Sequence, residues 1–311
     1  MFNGYGVLEL GSDYLDLSYR RPEEWPLMTP QGSIKSFTFE MGDPESGPVF
    51  QLGLISPLES EPLDWPNSID PPHFHGTDQF RVISGGEWSL ANKTMGAGSF
   101  AFQESGLRYS EHPGKGGAAW VMLVLGDRRG ARPTLVREAH KETLINTGSG
   151  NDRPLADDEV YPHPAGPRGI AAIATSEGPC ERGYRLGSFA ALARGVQDHK
   201  PALVSGVLGD RDRGPVALVV KAAPGCRVSA ASTCGSERFL VVSGGSCRIG
   251  DREYVAGDMR IQGAYREMPE IVSGADGLEA TWIIADRRAR IDMADEIGAF
   301  PWHREAPSLH A

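Results

Sequence analysis

The chain is short of cysteine, of basic residues and of long apolar runs. Among its 311 residues there are four cysteines, all from Cys180 to Cys247 and none in a close Cys-x-x-Cys pair. This usage argues against a disulfide scaffold or a structural zinc knot. Lysine and arginine together number 31 against 41 aspartates and glutamates, which gives a formal charge of −10. Because an acidic chain without a basic cluster binds nucleic acid and anionic membranes poorly, we expect neither as a partner.

No uninterrupted apolar stretch approaches the roughly 20 residues that a transmembrane helix needs. The N-terminal sequence, MFNGYGVLELGSDYLDL, has no basic start followed by an apolar core. These two absences predict a soluble, cytoplasmic protein.

Glycine and proline, by contrast, are plentiful, at 39 and 23 residues, and they separate short alternating apolar runs. Such runs favour strands and turns over long helices, so the sequence predicts an all-β fold. One short helix is expected at Ser188 to Arg194, with Ser188 as N-cap and Gly195 as its end. The clearest strand candidates are Val49 to Ile55, Phe80 to Ile83, Ser99 to Gln103 and Trp120 to Leu125.

An internal repeat organises the chain. QFRVISGGEWSL at Gln79 to Leu90 matches RFLVVSGGSCRI at Arg238 to Ile249, an offset of 159 (238 − 79). Upstream, SGPVFQLGLISP from Ser46 resembles RGPVALVVKAAP from Arg213. The chain is therefore predicted to contain two copies of one β-rich unit.

Short strands at this spacing predict a closed barrel or a sandwich, in which the sheet edges are protected. The two barrels are expected from about Ser33 to Asp127 and from about Gly187 to Arg288. In terms of domains, residues 1–127 form the first unit, 128–186 an interdomain connection, and 187–311 the second unit with a C-terminal tail. The tail carries Phe300 and Trp302, so it is expected to dock on a barrel or on a partner chain. A homodimer is the expected assembly.

Two histidines stand one residue apart in PPHFHGTDQFRVISGGEW, just before a predicted strand and a Gly-Gly turn. In a strand the side chains at i and i+2 leave on one face, so His73 and His75 can converge on one point. Gln79 can join them once the chain bends between Gly76 and Asp78. Two imidazoles and an oxygen donor make half of a transition-metal site. The alternative is a pair of ordinary strand histidines with hydrogen-bond partners.

The order His-x-His, three residues, Gln79 and then glycines at the next turn resembles the first motif of the cupin superfamily. Cupins are small antiparallel β-barrels that often hold Fe, Mn, Ni, Cu or Zn. The family usually has Glu where this chain has Gln79. With its two repeated units the chain resembles a bicupin, which implies two tandem double-stranded β-helix (jelly-roll) barrels.

The second cupin motif is only partly present. Gly98 begins it, and Glu104 replaces its proline. Gly106 keeps its glycine, and Tyr109 stands at its histidine position. The third family ligand is therefore in doubt.

Two residues compete for the place of that third ligand. The similar strings YSEHP and YREMP pair Tyr109 with Tyr265 and His112 with Met268. A residue shared by both halves serves the fold more often than the site, so Tyr109 is either a buried phenol with a hydrogen-bond partner or a residue that faces the pocket. Strand parity puts Tyr109 and Glu111 on one face and His112 on the other. A one-residue bend in the preceding loop would bring His112 in.

The second half has lost the candidate ligands. Opposite His73, His75 and Gln79 stand Ser232, Cys234 and Arg238. A lone cysteine beside an arginine is no metal site, because the guanidinium repels a second cation. The second barrel is therefore predicted to be a structural or dimerisation half.

Arg81 follows Gln79 by two residues and is expected to point into the same barrel. Its repeat partner is Leu240, so this position is apolar where the candidate site is absent. An arginine there can hold a substrate carboxylate or phosphate with two hydrogen bonds, or can pair with an Asp or Glu at the barrel mouth. Trp88 and Trp120 are expected to pack in the barrel rather than to form a platform for an aromatic ligand.

The resemblance implies one divalent transition metal in the first barrel, with Fe(II) favoured and Mn, Ni, Cu and Zn as alternatives. The predicted metal ligands are His73, His75, Gln79 and His112, with Tyr109 as the alternative to His112. The predicted catalytic residues are Tyr109, Glu111 and Arg81. The predicted function is a non-haem oxygenase that acts on a small organic acid or aromatic metabolite. A redox-neutral, metal-dependent isomerase or lyase and a non-catalytic ligand-binding bicupin are the alternatives.

Overall fold

The computed structural model describes residues 13–25, 29–31, 34–55, 70–90, 93–113, 118–135, 172–175, 178–179, 184–193, 196, 201–210 and 212–293. The predicted tail with Phe300 and Trp302 lies outside these residues, as does most of the predicted connection at 128–186. Within them, no helix has the length and apolar character needed to span a membrane.

The described residues form 24 strands. The first twelve are β1 (Tyr14–Ser18), β2 (Thr29–Gln31), β3 (Ile34–Glu40), β4 (Val49–Ile55), β5 (Asp70–Phe74), β6 (Gln79–Gly85), β7 (Glu87–Leu90), β8 (Lys93–Gly96), β9 (Ser99–Gln103), β10 (Tyr109–Pro113), β11 (Ala119–Leu125) and β12 (Thr134–Leu135). The other twelve are β13 (Ala172–Thr175), β14 (Gly178–Pro179), β15 (Tyr184–Ser188), β16 (Ala202–Val207), β17 (Val216–Ala222), β18 (Arg227–Ser229), β19 (Ser232–Cys234), β20 (Arg238–Ile249), β21 (Arg252–Val255), β22 (Asp258–Gln262), β23 (Ile271–Ile284) and β24 (Ile291–Met293).

Helices are short. Two 3-10 turns cover Pro22–Glu24 and Arg128–Gly130, and α1 covers Phe189–Leu192. The Ser188 hydroxyl accepts a hydrogen bond from the Ala191 N–H at 3.2 Å, as the predicted N-cap requires. The predicted end at Gly195 lies outside the described residues.

The strands pair antiparallel throughout the described sheets. The first barrel consists of a seven-stranded sheet, in the order β15-β9-β6-β11-β4-β3-β2, and a five-stranded sheet, in the order β12-β5-β10-β7-β8. In the second barrel, one ten-stranded sheet runs β1-β22-β20-β23-β17-β16-β13-β14, with β18 and β21 on β23 and β20. The long strands β20 and β23 therefore serve both faces of that barrel, and β19 pairs with β24 beside them.

Each half of the chain lends one strand to the other barrel. The early strand β1 pairs with β22, and β15 pairs with β9. The two exchanges share one register, because Tyr14 lies opposite Gln262 and Tyr184 opposite Gln103, and 262 − 103 equals the repeat offset of 159. The barrels are therefore interlocked by their own strands.

An apolar core joins the two barrels through the outer faces of their sheets. It includes Phe37, Phe39, Phe50, Phe80, Phe102, Phe239, Val241 and Ile283, all buried. Trp120 packs against this core and stacks on Tyr19 with ring centroids 5.8 Å apart, in line with the packing role expected for it. The hydroxyls of Ser84 and Ser243, which are 159 residues apart and so equivalent in the repeat, meet at 3.0 Å.

Strand alternation decides which side chains reach the interior of the first barrel. Phe80 and Val82 of β6 belong to the core between the barrels. Gln79 and Arg81, which alternate with them, turn inward, as the sequence predicts.

The predicted pairing of Tyr109 with Tyr265 is wrong. The Gly106 N–H bonds the His75 carbonyl, and the Tyr265 N–H bonds the Cys234 carbonyl in the same way. Gly106 and Tyr265 are therefore equivalent, and both have a positive φ, of 83° and 58°. The string similarity misled because YSEHP and YREMP are offset from each other by three residues in the fold.

The partner of Tyr109 in the second barrel is Met268. Tyr109 lies opposite His73, and Met268 forms the matching bridge to Ser232. His112 is consequently not the counterpart of Met268. Tyr109 therefore belongs with the features found in the first barrel alone and is not a residue shared by both barrels.

Candidate functional site

Strands β5, β6 and β10 bring most of the predicted site residues together inside the first barrel. His73, Gln79, Arg81 and Tyr109 are buried there and joined by hydrogen bonds. The backbone of His112 pairs with Ser89 on the neighbouring strand β7. The side chain of His112 lies outside the described residues, so its role as a ligand stays a prediction.

The Tyr109 hydroxyl is the centre of a closed hydrogen-bond network. It donates to Gln79 Oε1 at 2.9 Å and accepts from Arg81 at 3.1 Å. His73 Nε2 lies 3.0 Å from the same hydroxyl. Because a phenol has one proton and that proton goes to Gln79, His73 Nε2 must carry a hydrogen and donate it. Tyr109 is thus a buried phenol with hydrogen-bond partners, and those partners are the predicted site residues His73, Gln79 and Arg81.

Arg81 is the fixed cation of the site. Its guanidinium donates to Gln103 Oε1 at 2.9 Å, to Gln79 Oε1 at 3.2 Å and to Glu111 Oε1 at 2.5 Å. The Arg81 side chain is 1% exposed, and that of Glu111 is 12% exposed. The buried positive charge is thus neutralised by a carboxylate that still reaches solvent.

His75 is held as a neutral imidazole. Its Nδ1 donates to the Ala131 carbonyl at 2.7 Å, which leaves Nε2 as an unprotonated lone pair. Burial, together with the nearby His73, lowers the pKa of His75 well below its ordinary value. This ring therefore carries no proton on Nε2 at neutral pH.

A divalent metal does not fit the donor set in this arrangement. His75 suits one, because a metal-binding histidine commonly donates its other ring N–H to a carbonyl. His73 Nε2, however, carries the hydrogen that binds Tyr109, and Gln79 Oε1 already accepts from both Tyr109 and Arg81. Within the described part of the chain, no group of three or more His, Cys, Asp or Glu side chains could hold a metal ion.

A small cavity of about 50 Å³ opens beside Arg81. Its walls are Gln51, Gly53, Ile55, Arg81, Trp88, Glu111, Val121 and Leu123. A larger open hollow of about 620 Å³ lies against the second barrel, around Cys234 and Tyr265. We place the site in the smaller cavity, because Arg81, the cation of the buried hydrogen-bond network, lies on its wall beside Glu111.

Sequence reasoning missed Gln51 and Gly53, which line the cavity. The repeat held a signal for both of them. Gly53 pairs with Val121 as Val220 pairs with Ala280, and Gln51 pairs with Leu123 as Leu218 pairs with Trp282. The first barrel thus carries a polar or small residue where the second carries a larger apolar one.

Two buried hydrogen-bond donors of this region have no acceptor within the described residues. They are Gln79 Nε2 and Trp88 Nε1. Buried donors are normally paired, so these two N–H groups point to an absent acceptor such as a ligand or water.

Comparison with known proteins gives a structural likeness and no sequence match. No family model matches the chain, and no curated protein does. Among solved structures, a protein from Nostoc punctiforme described as a "putative dioxygenase" is 10% identical, with a TM-score of 0.50 over 91% of this chain and 84% of that one.

Two further structures give lower scores. The protein YlbA from E. coli is 11% identical, with a TM-score of 0.47 over 94% of this chain and 97% of that one. Oxalate decarboxylase from Bacillus subtilis is 12% identical, with a TM-score of 0.45 over 94% and 80%. At these identities a likeness shows architecture alone. The chain has the all-β, two-barrel cupin fold that its sequence predicts.

Proposed function

We propose that the first barrel is the active site of an enzyme that acts on a small organic acid, whose carboxylate binds Arg81. One observation carries this proposal: a buried guanidinium faces a cavity, and the carboxylate that neutralises it is partly exposed. An arginine with two parallel N–H donors is the side chain best shaped for a carboxylate. The second barrel has Leu240 at this place.

Binding is proposed to be an exchange of carboxylates. Glu111 holds Arg81 at 2.5 Å in the free protein and lies on the cavity wall. An incoming acid takes the same N–H groups, and Glu111 turns away from Arg81 while it stays on the cavity wall. The buried cation stays paired throughout, so the exchange avoids the large penalty of an unpaired buried charge.

The neighbouring groups supply proton transfer. Glu111, once released, is a carboxylate next to the bound acid and can accept a proton from it. Tyr109 holds its proton on Gln79 Oε1 and can give it to the substrate. His73 Nε2–H and Arg81 then stabilise the phenolate by their hydrogen bonds, and solvent restores the phenol proton as Glu111 releases the one it accepted. This set supports a redox-neutral isomerisation or elimination, in which protons move and no electrons leave the substrate.

The second candidate is the metal-dependent oxygenase that the sequence resemblance implies. The orientation of His75 favours it, because the bond to Ala131 aims an unprotonated Nε2 at the site. It requires His73 and Gln79 to release Tyr109 and Arg81. Metal content measured by plasma mass spectrometry, beside the double variant His73→Ala/His75→Ala, tests it. One equivalent of Fe, Mn, Ni, Cu or Zn that is lost in the variant would replace our first proposal with this one.

The test of acid binding is calorimetric titration with short carboxylic acids. We expect wild type and the exposed control Arg20→Leu to bind, and Arg81→Leu, which carries the residue of the second barrel, to bind at least roughly tenfold more weakly. Arg81→Lys keeps the charge and loses the two-pronged geometry, so it should fall between them. Equal binding by Arg81→Leu, or no binding of any acid to wild type, would sink the proposal.

Turnover is checked separately. Proton NMR in deuterated buffer should show exchange of a carbon-bound hydrogen of the bound acid by wild type. Binding without exchange or product would leave a ligand-binding protein and no enzyme.

A further inference from the structure

Trp88 carries a buried donor that nothing in the described structure satisfies. Its side chain is 2% exposed, and its Nε1–H has no acceptor within the described residues. An unpaired buried donor is destabilising, and buried tryptophans normally find a partner for this N–H. The expected packing role of Trp88 accounts for the ring and leaves the N–H unexplained.

The ring of Trp88 lies on the wall of the cavity that Arg81 and Glu111 also line. The rest of that wall is Gln51, a glycine and the apolar side chains Ile55, Val121 and Leu123. In the second barrel the repeat places Cys247 at the position of Trp88 (247 − 88 = 159), packed within an apolar core. The free donor thus occurs in the barrel that has the cavity.

We infer that the ligand of the first barrel is a short 2-oxo or 2-hydroxy acid. Its carboxylate binds Arg81, and its second oxygen accepts the hydrogen bond of Trp88 Nε1. This inference rests on the proposed function and narrows it. An acid without the second oxygen leaves the indole N–H unpaired, and a site built around such a donor discriminates against that acid.

The size of the cavity sets the length of the acid. A water molecule needs roughly 10–15 Å³ of such space, so about 50 Å³ holds only a few heavy atoms. The second oxygen must therefore lie on a carbon close to the carboxylate. The largely apolar remainder of the wall argues against a second charged group on the acid.

Three acids of matched size test the inference: pyruvate, lactate and propionate. By calorimetric titration, wild type should bind pyruvate or lactate roughly fivefold to tenfold more tightly than propionate, as one net hydrogen bond gives. In Trp88→Phe, which keeps an aromatic ring and removes the N–H, the three acids should bind alike. A wild-type protein that does not distinguish the acids, or a preference that persists in Trp88→Phe, overturns the inference.

An NMR measurement on the wild-type protein tests the same inference in case the Trp88→Phe variant folds poorly. The indole N–H resonance of Trp88 in wild type, assigned by its loss in the variant, should shift with pyruvate and exchange more slowly with solvent. Propionate should leave that exchange rate unchanged. If no acid binds wild type at all, the proposed function fails. If all three bind equally, the proposed function stands and only the role of Trp88 fails.

Discussion

The two barrels share a backbone plan and differ in what fills it. In the second barrel a continuous cluster of apolar side chains occupies the interior, including Leu218, Leu240, Met268 and Trp282. In the first, a hydrogen-bonded polar group and a cavity take that place. His73, His75, Arg81, Trp88 and Tyr109 stand where the second barrel has Ser232, Cys234, Leu240, Cys247 and Met268.

The hydrogen bonds that recur in both barrels stabilise the loops and the junction between the barrels. Arg128 reaches back to the Gly47 and Met41 carbonyls, and Arg287 reaches in the same way to those of Gly214 and Leu208. Across the junction, Asp78 accepts from the Gly209 N–H at 3.0 Å, and Glu237 accepts from the Gly42 N–H at 3.2 Å. Residues kept in both halves therefore stabilise loops, and residues that differ build the site.

Exchanging the central residue of each barrel should have the largest effect. Leu240→Arg places a cation in an apolar core that already buries Arg238 and Arg260, so we expect a loss of unfolding free energy on the order of 4 kcal/mol. Arg81→Leu leaves the Gln103 acceptor unpaired, removes one of the two hydrogen bonds to Gln79 Oε1 and frees Glu111, and should cost about 2 kcal/mol. Urea unfolding measures both, and Arg20→Leu is the exposed control. A smaller loss for Leu240→Arg than for Arg81→Leu would contradict the view that only the first barrel accommodates a cation at this position.

Strand periodicity, the repeat and the motif around His73 were enough to predict the two-barrel fold. The strands Val49 to Ile55 and Ser99 to Gln103 coincide with β4 and β9, because short apolar runs between turn residues mark them locally. The exchange of β1 and β15 could not be read in advance, since pairing between distant segments leaves no local pattern. The predicted homodimer and cytoplasmic location stay predictions.

The sequence predicted that the candidate residues lie together, and it did not predict the hydrogen bonds between them. Alternation placed Gln79 and Arg81 inside the barrel, but no spacing rule shows that Arg81 shares acceptors with Tyr109. The hydrogen-bond network depends on side-chain conformations set by packing from several strands. The same limit explains the misassigned partner of Tyr109, because a three-letter similarity outweighed the register of the repeat.

Glu111 competes with the ligand for Arg81, so replacing it should change the affinity of the first barrel for acids. In Glu111→Gln the Arg81 guanidinium keeps its amide acceptors and loses its anion. We expect short carboxylic acids to bind about tenfold more tightly, which corresponds to about 1.4 kcal/mol. Hydrogen exchange at the bound acid should meanwhile fall, because the proton acceptor is gone. Calorimetry and NMR measure the two effects, and weaker binding in Glu111→Gln would show that Glu111 helps to hold the acid instead of competing with it.

The buried imidazole of His75 should give the first barrel a sensitivity to acid. Its folded-state pKa lies below the ordinary value of 6.5, so below about pH 6.5 the unfolded chain binds more protons than the folded one. The stabilising contribution is present above that pH and is lost as the pH falls, at up to about 1.4 kcal/mol per pH unit. His75→Asn, whose side-chain N–H can still reach the Ala131 carbonyl, should flatten this slope between pH 6.5 and 5. Identical slopes in urea unfolding of the two proteins would contradict a neutral, buried His75.

The smallest change in stability should come from Gly53, which lines the cavity where the second barrel has Val220. A Cβ added at Gly53 would meet Ile55 Cδ1 at 3.7 Å and the Val121 carbonyl at 3.8 Å, both ordinary contacts. Gly53→Ala should therefore leave the unfolding free energy within about 1 kcal/mol of wild type, or raise it slightly, because glycine loses the most backbone freedom on folding.

The same methyl group narrows a cavity of about 50 Å³, so short acids should bind several-fold more weakly. Gly53→Val, which copies the second barrel, should weaken them further. If a stable Gly53→Val protein bound acids as tightly as wild type, the ligand would have to bind outside this cavity, because valine fills the cavity as it does in the second barrel.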